Sequence, residues 1–165
     1  MSVSPDKKPP PRARSRRPAP VAKLKPDASD PYQVVYFKRH KDDDPAQTAP
    51  GQDFLRGCPP KVAATFAAVL TQVAAAPPHR FAGGGKWEAM HGTLAGFHEV
   101  RVDGPGRRHY RLFCRLDTQA DGLGPLLVVL TGADKAFRTT VPDSVYADVA
   151  ALGAEYFARN PRSLA

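Results

Sequence analysis

Arg101 and Arg111 bracket the stretch RVDGPGRRHYR, with Arg107, Arg108 and His109 crowded between them. Guanidinium groups grip phosphate through forked N–H donors and stabilise negative charge that builds on it. An imidazole, ammonium or phenol beside them can carry protons. His91 and His109 lie close in sequence to the two arginines, Lys135 and Arg138 follow a long apolar run, and Tyr146 stands beyond them. These residue types suffice for phosphodiester chemistry without a metal. The simpler alternative is a solvated sheet face with cross-strand Glu–Arg pairs, each contributing about 0.2–1 kcal/mol. Charge by itself favours that alternative, whereas the neighbouring acid–base candidates favour a site.

Such groups act together only if the backbone aligns them. GFHEVRV (96–102) and HYRLFCRL (109–116) alternate with period two, which predicts two strands of a hairpin. One face collects Phe97, Glu99, Arg101, His109, Arg111, Phe113 and Arg115. The other collects His98, Val100, Val102, Tyr110, Leu112, Cys114 and Leu116. The apolar set should meet the core, leaving the arginines on a face the core does not claim, and His98 reads as a packed histidine. PLLVVLTG (125–132) is apolar throughout and predicts a strand covered on both sides, with Lys135 and Arg138 emerging at its end. Pro142, Asp143 and Ser144 open a last helix with Val145, Val149, Leu152 and Tyr156 as its buried stripe. Tyr146, about 100° around from Val145, falls at the stripe's edge.

Upstream, YQVVYFKRH (32–40) predicts a first strand and GQDFLRGC a short helix. CPPKVAATFAAVLTQVAAAPP predicts a longer one, opened by Pro59–Pro60, stopped by Pro77–Pro78, and buried through Val62, Phe66, Val69, Leu70 and Val73. FAGGGKW reads as a loop. Its GGGK lacks the spacing of a phosphate loop, and the DDD run at 42–44 reads as a solvated loop. The expected class is α+β in the order β-α-α-β-β-β-α, a mainly antiparallel sheet packed on helices.

The 165 residues are 42% hydrophobic, enough for one packed domain. The formal charge is +8, and residues 1–30 hold eight Lys/Arg against three Asp, a net +5. That Pro-rich basic segment is expected to be a disordered tail ahead of a domain over 31–165, acting as a spacer or as an arm that attracts nucleic acid. Cys58 and Cys114 show no ligand or disulfide spacing. No apolar run has the length of a membrane span, and no apolar stretch follows the basic N-terminus, so a cytoplasmic protein without a membrane partner is expected.

The span KWEAMHGTLAGFHEVRVDGPGRRHYRLFCRLD, followed by LLVVLTGADKAFRTT and VYADVAALGAEYFARNPR, resembles the RelE/ParE/HigB superfamily of bacterial toxins over residues 80–162. The resemblance implies a microbial-ribonuclease-like fold with a curved sheet, and the toxin of a type II toxin–antitoxin pair neutralised by a cognate antitoxin. RelE-like members cut mRNA, usually on the ribosome, without metal or other cofactor. The 2′-hydroxyl attacks the adjacent phosphate and leaves a 2′,3′-cyclic phosphate. Carried onto this sequence, the pattern places a basic site residue at Arg101, the phosphate-stabilising arginine at Arg111 and a further cation at Lys135. The aromatic proton-transfer candidate falls at Tyr146, with His91 and His109 as HigB-like alternatives. Arg107, Arg108, Arg115 and Arg138 are the expected RNA contacts. ParE-type members share the fold but inhibit DNA gyrase, in which case the arginines would be protein-contacting or structural. A plain nucleic-acid-binding module is the third reading.

Overall fold

A computed structural model of the chain describes residues 25–76 and 86–165. Within them, the period-two stretches become strands of one five-stranded sheet: β1 (Gln33–Tyr36), β2 (Trp87–Ala89), β3 (Phe97–Gly104), β4 (Arg108–Asp117) and β5 (Leu126–Ala136). The helices are α1 (Pro50–Gly57), α2 (Pro60–Ala75) and α3 (Asp143–Phe157). The spatial order is β1-β5-β4-β3-β2, with β1 parallel to β5 and every other neighbour antiparallel. The class is α+β as expected, but the element order gains a strand. Trp87–Ala89 starts at the last residue of the stretch read as a loop, and its three residues carry no periodic signal of their own. They become a strand by pairing with Val100, Glu99 and His98 of β3.

The sheet is covered on both faces. Val62, Phe66, Leu70 and Val73 of α2 pack on Trp87, Val100, Val102, Leu112, Cys114, Leu127 and Val129. On the other face Val149 and Tyr156 of α3 pack on Phe97, Phe113, Leu126, Val128 and Leu130. Burying each such side chain contributes about 1.5–3 kcal/mol. The arginine face is therefore not free of core, contrary to the sequence expectation. Phe97 and Phe113 lie on it, and such large apolar groups recruit α3 over one end. The other end, at Arg101 and Arg111, stays outside that second core. Interior strand β5 alternates between the two cores, so Leu126–Leu130 are all buried.

Pro60 sits in the first turn of α2, where its missing N–H is no loss. Pro77–Pro78, read as the helix stop, lie outside the described residues, as does all of FAGGG. Gly132 lets α1 approach β5 closely, because a Cβ there would stand 2.1 Å from the Phe54 ring. The C-terminal residues cover the outer edge of β1, where the amide of Ala165 donates to the Tyr36 carbonyl at 2.9 Å and Phe37 bridges to Leu164. This segment is anchored by buried Asp117, which accepts from the Tyr156 hydroxyl (2.7 Å), the Arg162 Nε (2.8 Å) and the Gln119 amide (2.9 Å). Burial pushes the Asp117 carboxyl up, yet these donors outweigh it and hold it below the ordinary carboxylate range.

Residues 1–24 of the expected tail lie outside the described residues. Residues 25–30, which the sequence reading placed in that tail, lead into β1 through a hydrogen-bonded turn: the Ser29 amide donates to Asp27 Oδ1, and the Gln33 side chain caps the Asp27 carbonyl. Among the described residues, no helix is long and apolar enough to cross a membrane.

Candidate functional site

Register decides which polar groups meet. Arg101 of β3 lies directly opposite Arg111 of β4, Asp103 opposite His109, and His109 opposite Lys135 of β5. Residues in such antiparallel pairs share a face. The result is a cleft of about 540 Å³ lined by Arg101, Asp103, His109, Arg111 and Lys135, together with Lys86 and Thr65. It opens beyond the end of β2, which stops pairing once the Arg101 amide has donated to the Lys86 carbonyl.

A carboxylate organises the two arginines. Glu99 is 4% exposed. Its Oε1 and Oε2 accept from Arg111 Nη1 at 2.9 and 2.8 Å, and Oε1 also accepts from Arg101 Nε at 2.7 Å. Arg101 reaches on to Glu88 at 3.2 Å. Burial works against the Arg101 charge, but Glu99 and Glu88 outweigh it and hold the guanidinium firmly charged. Unpaired, a carboxylate as buried as Glu99 would be strongly destabilising. Arg111 Nε is buried without a hydrogen-bond partner, so its donors are incompletely used.

His109 is oriented from two sides. Its Nδ1 contacts Asp103 Oδ1, and its ring stacks on Phe137 with centroids 4.1 Å apart and planes 17° from parallel. An ionised carboxylate can only accept, so Nδ1 donates in this contact and Nε2 is the ring nitrogen left free to face a ligand. Lys135 Nζ donates to the Thr139 carbonyl, which ties the end of β5 to the turn after it. The cleft thus combines four cations, two of them forked guanidiniums, with an imidazole held by Asp103. That set can bind a phosphate dianion or diester and move one proton. Among the described residues, no cluster of His, Cys, Asp and Glu has the makings of a metal site.

Arg101, Arg111, His109 and Lys135 are therefore brought together. Tyr146 reaches the same face of the sheet, edge-on to Phe113 with centroids 6.1 Å apart. The other named residues are elsewhere. His91 is exposed in the β2–β3 connection, before a single 3₁₀ turn (Gly92–Leu94), at the opposite end of β3 from Arg101. Arg115 shares the arginine face but lies under the end of α3, 4.6 Å from the Phe97 centroid and 4.8 Å from that of Phe157. Arg108 points to the opposite face and pairs with Asp134. Arg107 and Arg138 are exposed turn residues with positive φ of 55° and 61°.

Four participants escaped the sequence reading as site residues. Glu99 and Asp103 were visible in principle, since both share the period-two face of Arg101. Lys86 follows a glycine run with no strand signal, and Thr65 sits mid-helix, so only the fold brings either to the cleft.

Neither a family model nor a curated protein sequence matches the chain. Among solved structures, the chain is similar to one in a RelBE2 toxin–antitoxin complex from Mycobacterium tuberculosis. The TM-score is 0.42 at 20% identity, covering 67% of this chain and 98% of that one. The likeness is distant, and neither the fold nor the chemistry of this chain is inferred from it.

Proposed function

We propose that the chain is a metal-independent RNA endonuclease, acting as the toxin of a toxin–antitoxin pair. The observation that carries the reading is the convergence of Arg101, Arg111, Lys86 and Lys135 with the Asp103-oriented imidazole of His109 in one open cleft. In the proposed reaction a base removes the 2′-hydroxyl proton and O2′ bonds to phosphorus. The P–O5′ bond breaks, and the departing oxygen takes a proton from an acid. The products are a 2′,3′-cyclic phosphate and a 5′-hydroxyl. His109 Nε2 serves one proton transfer and Tyr146, packed against Phe113 on the same face of the sheet, is the candidate for the other. Arg101 and Arg111 stabilise the charge that builds on the equatorial oxygens, an effect typically worth on the order of 10²–10³ in rate per donor. The motif resemblance supports mRNA as substrate, the ribosome as its setting and a cognate antitoxin as partner.

One observation favours a second reading. Arg111 is engaged by Glu99 and only 17% exposed, as an arginine with a structural role would be. A ParE-like gyrase inhibitor would use its arginines in that way and would leave RNA intact.

The test is incubation of purified protein with mRNA, free and on translating ribosomes, and analysis of product ends, for wild type and Arg111→Lys. Lysine keeps a cation for Glu99 but loses the fork. Cyclic-phosphate ends in the wild type, reduced about a hundredfold in the variant, are expected. Intact RNA in every condition, with inhibited supercoiling, would overturn the nuclease in favour of the second reading.

A further inference from the structure

We infer that a second cleft, between the first turns of α2 and the β3–β4 hairpin, is a nucleobase subsite for the base attached to the phosphate at Arg101 and Arg111. The inference rests on the phosphate-binding reading of the cationic cleft. The second cleft holds about 610 Å³, within the range of small-molecule sites. Its walls are Pro59, Pro60, Lys61 and Val62 on the helix side and Gly104 and Pro105 on the hairpin side. Apart from the Lys61 side chain they are apolar, whereas the first cleft is cationic.

The two clefts adjoin. Thr65 and Asp103 line both. Along β3, Arg101 and Asp103 stand about 6.6 Å apart, a span that one ribose bridges. A nucleotide divides in the same way, with an anionic phosphate, a sugar, and a base that is apolar on its faces and polar along its edge. Apolar walls receive the faces. At the junction, the Asp103 carboxylate accepts from exocyclic amino groups, which guanine, adenine and cytosine carry and uracil lacks. Thr65 Oγ1 already donates to the Lys61 carbonyl at 2.9 Å, so toward a base it acts as an acceptor too. The junction therefore favours bases that carry an exocyclic amino group.

Calorimetric titration of the full chain tests this, using guanosine 3′-monophosphate, uridine 3′-monophosphate and ribose 5-phosphate as probes. Burying roughly 60 Å² of ring face is worth about tenfold in affinity. The guanosine nucleotide should therefore bind about tenfold more tightly than ribose 5-phosphate, with the uridine nucleotide between them. Pro59→Ser/Pro105→Ser strips both walls while placing a better N-cap on α2, and it should erase the preference without weakening ribose 5-phosphate. The single variants serve if the double variant melts below the assay temperature. Equal binding of the three probes, or a preference that survives in the variants, would overturn the base subsite and leave the phosphate site standing. Absence of binding by all three probes would overturn the phosphate reading and the subsite with it.

Discussion

Neutralising Glu99 separates the cohesion of the site from its affinity for anions. Glu99→Gln keeps the shape and one acceptor but removes the charge that Arg111 and Arg101 share. Breaking a dry ion pair by deleting one charge costs about 3–5 kcal/mol. Here Arg101 is 44% exposed and Arg111 17%. Water therefore takes over part of the solvation, and the expected loss is about 2 kcal/mol. In a chain of this size that lowers Tm by about 4–8 °C. The anion site responds in the opposite sense. Four cations (Lys86, Arg101, Arg111 and Lys135) face three carboxylates (Glu88, Glu99 and Asp103), and the variant removes the most buried of these. Inorganic phosphate should then bind several-fold more tightly and restore more of Tm in Glu99→Gln than in the wild type. Thermal melts at constant ionic strength, with and without phosphate, read both effects. A variant that melts within about 1 °C of the wild type, or binds phosphate more weakly, would refute the reasoning.

Two further predictions concern the packing that holds the site. His98 stacks on Trp87 with centroids 4.7 Å apart, and burial, with Arg115 adding to it, pushes its pKa down. The unfolded chain therefore takes up a proton below about pH 6.5 that the folded chain resists, so stability present above that pH declines as the pH falls toward the folded-state value, at up to about 1.4 kcal/mol per unit. His98→Phe should flatten that part of the Tm–pH curve, and unchanged slopes would contradict the assignment. Tyr156→Phe removes one of three donors to Asp117, and urea denaturation should show a loss of about 1–2 kcal/mol; a loss near zero would show that Arg162 and the Gln119 amide suffice.

Much of the site was legible because a strand has period two: the alternation in 97–102 and 109–116 placed Arg101, His109 and Arg111 on one face. The same rule misled at Arg115. It shares that face, but four residues beyond Arg111 is about 13 Å along the strand, where α3 covers the sheet. His91 misled in a similar way, near in sequence but at the far end of β3. The burial of Glu99 was hidden because it depends on long-range packing against the sheet, and β2 because three residues gain strand character only from a partner. The apolar cleft was unreadable, since its walls come from segments some forty residues apart that only the fold brings together.

The most direct test of the central claim is primer extension on cellular mRNA after brief induction, comparing the wild type with Arg111→Lys. Discrete new 5′ ends in the wild type, absent or strongly reduced in a variant that accumulates to the same level, are predicted. Growth inhibition without new ends, or identical ends from both proteins, would contradict a nuclease that uses the Arg101–Arg111 cleft.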